Sequence, residues 1–591
     1  MDGLLKSTKQ KEVEEEFSFK KLFVPFTTLK AIHWIIIIGL IVYFNGLFNG
    51  FVLDDIYQIV NNTYTHSFTN IVTFFTGSTF YNGGTTSLAG AYYKPLLTTY
   101  FAAIYTLFGA NPFAFHFLQL VLHIVNACLV LLLFKKFFKL SLSFVLSLIF
   151  LVHPINSEAV FYIADAQDIL FFFFGVIALY LITIAKSQKA FLFITIFLAL
   201  SLLSKETGLL SIIISIIYAY LYKRKYFIPL LISSFAIFAG YLLLRVSAMG
   251  LYTKAASGAI DRHTLTERLI NIPAMFLFYI KQFVFPLNLS VSYQWAYKQI
   301  TVTTFYLPLL IDILFIALTI SIAIILKRKN SMFFKSYLFF FCWFFSSILF
   351  HMQFFPLDAT VAERWFYFPI VGLLGMIGVV LTVLPTKPQK AIIVILTVFL
   401  ILLLGVRTFI RSFDWRNEFT LVSHDVMVSH NDYYLEDAVS IDLARQGRYK
   451  EAKAYIEQSV HDFPFYTNIN TLGIIYTHEG NYTKAKEAYL QALRYGNFYF
   501  TYENLGGLTI VSGKPKENIA LLTNILKKYP YDDKLWLYLA IVEYRQKNID
   551  DAKTAISNAY QINPSDTNAY YLYKMTKKQP INVNINTTPG S

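Results

Sequence analysis

Cysteine and charge are what this chain has least of. Two cysteines among 591 residues, Cys128 and Cys342, both inside apolar runs, exclude a disulfide framework. Charged residues make up 15% against 56% aliphatic and aromatic, with mean hydropathy +0.51, which excludes a soluble globule of this size. There is no Gly-rich phosphate loop, no nucleophile elbow and no His/Cys/carboxylate spacing of a metal site. No metal and no cofactor are therefore expected. The segment from Lys6 to Lys21 is charged and lacks a signal peptide's order, so the first apolar span is expected to stay as an anchor. A net charge of +14 would point a soluble protein toward nucleic acid. Here most of the clustered Lys and Arg flank apolar spans and read as orientation signals, and no nucleic-acid partner is expected.

What is present is a series of apolar runs long enough to approach the thickness of a bilayer, which makes membrane lipid the first partner. They fall near 33–51, 113–134, 140–152, 168–185, 190–203, 208–222, 226–244, 304–326, 334–351, 366–384 and 391–408. Two more, 96–109 and 268–286, are ambiguous. Basic clusters at Lys135-Lys136 and Lys139, Lys186 and Lys189, Lys223-Arg224-Lys225, Lys327-Arg328-Lys329, and Lys387 with Lys390 fit the cytoplasmic side. All are satisfied from a cytoplasmic N-terminus only if the two ambiguous runs do not cross. That gives about eleven crossings, with the C-terminal part outside.

After about Phe413 the chain becomes charged and repetitive. The segments beginning Gly447-Arg448-Tyr449, Gly480-Asn481-Tyr482, Gly513-Lys514-Pro515 and Lys547-Asn548-Ile549 recur at 33, 33 and 34 residues, the tetratricopeptide period. Pro464, Pro530 and Pro564 punctuate the ends of second helices. Each unit is a helix pair that buries its apolar face only against neighbours, so the units stack into a solenoid suited to protein or peptide binding. The expected divisions are a cytoplasmic segment 1–32, a membrane domain 33–412, repeats 413–578 and a disordered tail 579–591.

Ionisable residues close to membrane spans are costly and mark functional candidates. Asp54 and Asp55 follow the first span, and Lys94 follows Tyr92-Tyr93 in the same outer loop. His153-Pro154 leads to Glu158, with Asp165 and Asp168 behind it. Lys205-Glu206 separates two apolar runs, Arg245 ends the seventh span, and Glu363-Arg364 precedes the tenth. On the orientation above all of these lie on the outer side. Each has a structural alternative. The Asp pair also reads as helix-capping or loop residues, the catalytic reading being preferred, His153 as a helix end, Glu158 as the partner of a nearby cation, Lys205 and Arg245 as snorkelling side chains, and Glu363-Arg364 as a local salt bridge. Outward carboxylates beside interfacial cations suit one chemistry well. The cations hold a lipid-linked sugar phosphate and stabilise its departure, and a carboxylate deprotonates an acceptor hydroxyl for direct, inverting displacement.

Several segments carry a resemblance to a known family. They are Leu53-Asp54-Asp55 with Asn61-Asn62, Tyr93-Lys94-Pro95-Leu96, His153-Pro154 through Glu158-Ala159-Val160, Ser204-Lys205-Glu206-Thr207-Gly208, and Ala362-Glu363-Arg364-Trp365-Phe366-Tyr367-Phe368-Pro369. In this order, with the repeats behind them, the chain resembles the transmembrane and tetratricopeptide-repeat-containing O-mannosyltransferases of the GT-C class. The resemblance implies an all-α fold: a polytopic GT-C-type bundle of transmembrane helices followed by a tetratricopeptide α-solenoid. It implies a polyprenyl- or dolichyl-phosphate-linked sugar donor, mannose in the family, and a protein Ser or Thr hydroxyl as acceptor, bound by the repeats. Asp54 or Asp55 is then the catalytic base or the acid that orients the acceptor. Lys94, His153, Glu158, Asp165, Lys205, Glu206, Arg245, Glu363 and Arg364 are candidate substrate-binding residues. Two departures stand out. Lys94 replaces an expected Arg, and Ala164-Asp165-Ala166-Gln167-Asp168 replaces Gly-Arg-Ala-Asp, so a guanidinium fork is missing. The Lys-, Ile- and Phe-rich composition looks bacterial, which would put the repeats outside a plasma membrane; in a eukaryote they would be lumenal. The alternatives are a non-catalytic repeat scaffold for envelope proteins and a GT-C enzyme with a lipid or glycan acceptor.

Overall fold

The structure, a computed structural model, describes residues 25–79, 92–250, 258–384, 390–496 and 498–576. Most of the expected cytoplasmic segment, Lys387 and the tail 579–591 lie outside them. Among the described residues all regular structure is helical.

Among the described residues seven helices are long and apolar enough to cross a membrane: Thr28–Phe48, Pro112–Phe134, Ile163–Ile184, Arg224–Met249, Val302–Lys329, Ser331–Leu349 and Ile392–Asp414. An eighth span forms if Leu140–Val152 and Pro154–Phe161, bent by 51° at His153-Pro154, are taken together. The chain is a multi-pass membrane protein. Three other expected spans, Lys189–Ser204, Gly208–Tyr222 and Pro369–Val383, are short. A 15-residue helix such as Gly208–Tyr222 or Pro369–Val383 reaches about 22 Å against about 30 Å of hydrocarbon. Each is cut short by a polar break, Lys205-Glu206-Thr207 in one case and the turn Glu363–Phe366 in the other. The two ambiguous runs form Pro95–Phe108, also short, and Leu265–Val284, which is not among the apolar spans. Only 17% of the span window is buried inside the protein in Arg224–Met249, Val302–Lys329 and Ile392–Asp414, so these apolar helices turn most of their surface outward, toward lipid.

The breaks do structural work. Pro154 ends one helix and starts the next, where its missing N–H costs nothing, and the bend carries Glu158 inward. At Gly208 a Cβ would sit 2.3 Å from the Ser201 carbonyl oxygen, so only glycine lets the two helices flanking Lys205 close up.

Beyond the last span, the helix Glu418–Val428 leads into helix pairs beginning Tyr433–Arg445 with Tyr449–Asp462 and ending Asp533–Arg545 with Ile549–Ile562. The solenoid is tied to the membrane half rather than tethered to it. Arg411, fully buried at the end of the last span, is held by both oxygens of Asp425 at 2.7 and 2.8 Å. Asp425 also accepts the Val291 amide (2.7 Å), and Asp432 accepts the Gln294 amide (3.1 Å). Arg262 stacks over Phe463 at 4.2 Å and donates to the Pro464 carbonyl.

The turn inside each helix pair needs a left-handed residue. Gly447, Gly480 and Gly513 have φ of 76°, 74° and 49°, and the fourth copy forces Lys547 into the same region at 65°. Lys547→Gly is therefore expected to stabilise the last repeat by about 0.5–1 kcal/mol. Gly480→Ala should cost about 1 kcal/mol although its Cβ would meet nothing within 4 Å. Hydrogen exchange of the flanking helices reads both changes.

Candidate active site

The Asp54-Asp55 pair divides into two roles. Asp55 is fully buried, and its two oxygens accept the Val52 amide (3.1 Å) and the Ala164 amide (2.7 Å). It clasps the loop after the first span to the turn Ile163–Asp165. Burial pushes its carboxyl well above the ordinary range, and the two amides only partly offset this. Asp54 is partly exposed. Leu53 before it has φ +49°, a strained conformation for a branched side chain. The Leu53 amide is held by the Glu418 carboxylate, and the Asp54 amide donates to the Tyr162 hydroxyl at 3.1 Å. Burial raises the Asp54 carboxyl, Arg364 and Lys94 pull it back, and Asp358 pushes it up.

Arg364 occupies the centre. Its backbone amide donates to Glu158 (2.8 Å), its Nη1 pairs with the same carboxylate, and its Nε lies 3.4 Å from Asp165. Burial opposes its charge, but Asp165 and Glu158 more than compensate, and Arg364 stays a guanidinium. Lys205 is engaged in the same way, its Nζ 2.8 and 2.7 Å from the two oxygens of Asp168. Lys94 differs. It sits 4.2 Å above the Tyr92 ring and forms no ion pair among the described residues. Burial lowers its ammonium, while Glu206 is the strongest of the charges that support it. Asp358, bonded to the Tyr92 hydroxyl at 3.2 Å, acts on Asp54, Lys94 and Arg364 alike.

Asp54, Lys94, Glu158, Asp165, Lys205, Glu206 and Arg364 thus form one electrostatic cluster, although they come from four separate breaks in the chain. Arg245 stands at its border, sharing the neighbour Tyr241 with Glu206. Two candidates stay apart. Both ring nitrogens of His153 are taken, one by the Phe283 carbonyl (2.9 Å) and one by the Ile155 amide (3.2 Å), so the residue holds the bend. Glu363 does not pair with Arg364 but points the opposite way, accepting from Ser290 N (2.8 Å) and Tyr293 Oη (2.6 Å). Asp358 and Tyr162 are not among the residues singled out in the sequence, and Asp168 and Tyr92 appear there only beside the candidates, without a binding role. Asp358 and Asp168 share the signal that found the others, carboxylates beside a span; Tyr162 has none in a chain with 41 tyrosines.

A family model described as Tetratricopeptide repeat matches residues 467–495, the second helix pair. Protein O-mannosyl-transferase TMTC3 of Homo sapiens is 24% identical over 507 residues, covering 78% of this chain and 55% of the relative. Protein O-mannosyl-transferase F38B6.6 of Caenorhabditis elegans is 25% identical over 71% of this chain and 61% of the relative. The chain is similar to protein O-mannosyl-transferases. It spans between 52% and 61% of the length of the three relatives that it matches most extensively. Over a shorter stretch, TMTC1 of Mus musculus is 35% identical across 131 residues, 22% of this chain and 14% of the relative. Among solved structures, yeast Tom70 aligns with 70% of this chain and 92% of its own at 12% identity and a TM-score of 0.25, too low to bear on the fold.

Arg364→Met strands two buried carboxylates and is expected to destabilise the protein by about 3–5 kcal/mol, with Arg364→Lys losing less. Thermal unfolding in detergent measures both. Burial pushes the Glu363 carboxyl up to about 8, so the folded chain holds a proton there that the unfolded chain has released. Between the unfolded value and about 8 this contribution falls as pH rises. Glu363→Gln should flatten the decline of thermal stability across that window.

Proposed function

We propose that this chain is a membrane glycosyltransferase that moves a sugar, mannose by the names of its relatives, from a polyprenyl- or dolichyl-phosphate carrier to a protein Ser or Thr hydroxyl. The observation that carries the reading is one of pairing. Arg364, Lys205, Glu158 and Asp168 satisfy one another, whereas Asp54 and Lys94 are left without an ion-pair partner among the described residues. A free base and a free cation facing one site are what a single displacement needs. Asp54 takes the proton of the acceptor hydroxyl, the oxygen attacks the anomeric carbon, and the carbon–oxygen bond to the phosphate breaks. The departing lipid phosphate keeps the bonding pair and meets Lys94, with Arg245 at the border. Arg364 and Lys205 position the carboxylate walls.

In this reading the membrane half, 33–412, carries the chemistry, and the repeats, 413–578, present the polypeptide acceptor. The site faces outward, where a lipid carrier is the sensible donor. A scaffold that merely anchors repeats has no use for an unpaired carboxylate beside an unpaired ammonium.

Incubating the purified protein with polyprenyl-phosphate-mannose and candidate acceptors tests the proposal, with mass spectrometry as readout. Asp54→Asn should lower transfer by about 10²–10⁴ while leaving the fold intact. Asp55→Asn should instead loosen the loop and lower thermal stability. Normal transfer by Asp54→Asn rules the mechanism out. The pH dependence of kcat/KM should be a bell narrowed from both sides. Activity rises as Asp54 loses its proton above the ordinary carboxylate range, and falls as Lys94 loses its own below the ordinary lysine range.

A further inference from the structure

The linker between the last span and the first repeat is laced to the loop that carries Asp54. The Gly50 amide donates to the Arg416 carbonyl at 3.0 Å, and Asn49 Nδ2 to the Ser412 carbonyl at 3.1 Å. Trp415 packs against Tyr162, ring centroids 5.7 Å apart, and Glu418 holds the Leu53 amide. The solenoid therefore starts beside the catalytic carboxylate. Two exposed tyrosines stand near it, Tyr57 on the Asp54 loop at 40% exposure and Tyr434 on the first repeat helix at 38%. Each lies within electrostatic reach of Asp54 and of Glu418.

The surroundings of these tyrosines run against the charge of the whole chain, which is +14. Glu418, Asp437 and Asp54 act on Tyr57 against one cation, Arg445, and that cation is already tied to Asp442 at 3.0 Å. Asp437 is 6% exposed, and its Oδ1 has no hydrogen-bond partner among the described residues. It is the fifth residue of its helix. The same position holds Asn470 in Tyr466–His478 and Glu503 in Tyr499–Val511, so a polar row leads away from the site along successive first helices. Asn504 bonds to Asn470 across that row at 3.1 Å.

We propose that the surface around Tyr57 and Tyr434 seats the acceptor polypeptide, and that it favours a Ser or Thr with a lysine or arginine within a few residues. This rests on the glycosyltransferase reading above. Aromatic faces accept a cationic side chain and a peptide backbone alike, and Asp54, Glu418 and Asp437 supply the counter-charge. Charge complementarity of this kind governs choice among partners more than raw affinity.

The test uses the full chain, a mannosyl-lipid donor and peptides that differ only in one residue beside the acceptor Ser: Lys, Gln or Glu. The Lys peptide should exceed the Glu peptide in kcat/KM by on the order of ten-fold at low salt, with the gap closing as ionic strength rises. Asp437→Asn and Tyr434→Ala should each narrow the gap, and Tyr434→Phe should keep it. Equal kcat/KM for the three peptides, or preference for Glu, overturns the inference. Donor consumption that depends on Asp54 but reaches no peptide overturns it too and leaves the glycosyltransferase reading standing. Donor consumption indifferent to Asp54 brings that reading down, and this inference with it.

Discussion

A buried charge must be matched, and the outer end of this bundle is organised around that requirement at Arg364. Its guanidinium is nearly enclosed, with 14% of the side chain exposed, in a region where an unpartnered cation would cost several kcal/mol. Glu158 arrives on one side because His153-Pro154 bends a helix, and Asp165 arrives on another through a turn fixed by Asp55. The fork geometry of arginine lets one residue satisfy both. Three separate interruptions of apolar sequence are thereby locked into one wall, and Lys205 with Asp168 repeats the arrangement next to it.

Once these pairs close, what stays open acquires meaning. Asp54 and Asp55 are neighbours in sequence with almost opposite circumstances. Asp55 spends both oxygens on backbone amides, while Asp54 stays partly exposed behind a left-handed Leu53. Strain of this kind persists only where surrounding contacts over-determine it. Here they include Tyr162 from the membrane half and Glu418 from beyond the last span. The linker that leads into the repeats is thus tied to the Asp54 loop, and under the proposed function an exchange of repeats would disturb that loop as well as acceptor choice.

Much of this was legible in the chain. Hydropathy separates the membrane half from the repeats because lipid tolerates little charge, and the 33-residue period marks the helix pairs down to the left-handed turn. The candidate residues were legible as a set, since carboxylates and cations beside spans are conspicuous. Their division of labour was not. Which Asp is clasped, that Glu363 faces Tyr293 rather than Arg364, and that His153 has both nitrogens occupied all depend on backbone amides brought close by folding. Span boundaries blurred for a related reason. Lys205-Glu206-Thr207 and the turn at Glu363 shorten helices to deliver side chains, so the segments that serve the site are the ones that read worst as spans.

The proposed chemistry is a single displacement driven by Asp54, with no covalent sugar–protein intermediate. The most direct test is the anomeric configuration of the transferred sugar, read by NMR from a donor of known configuration. Inversion is predicted. Retention would require a nucleophile on the protein and a glycosyl-enzyme intermediate, and would contradict the account.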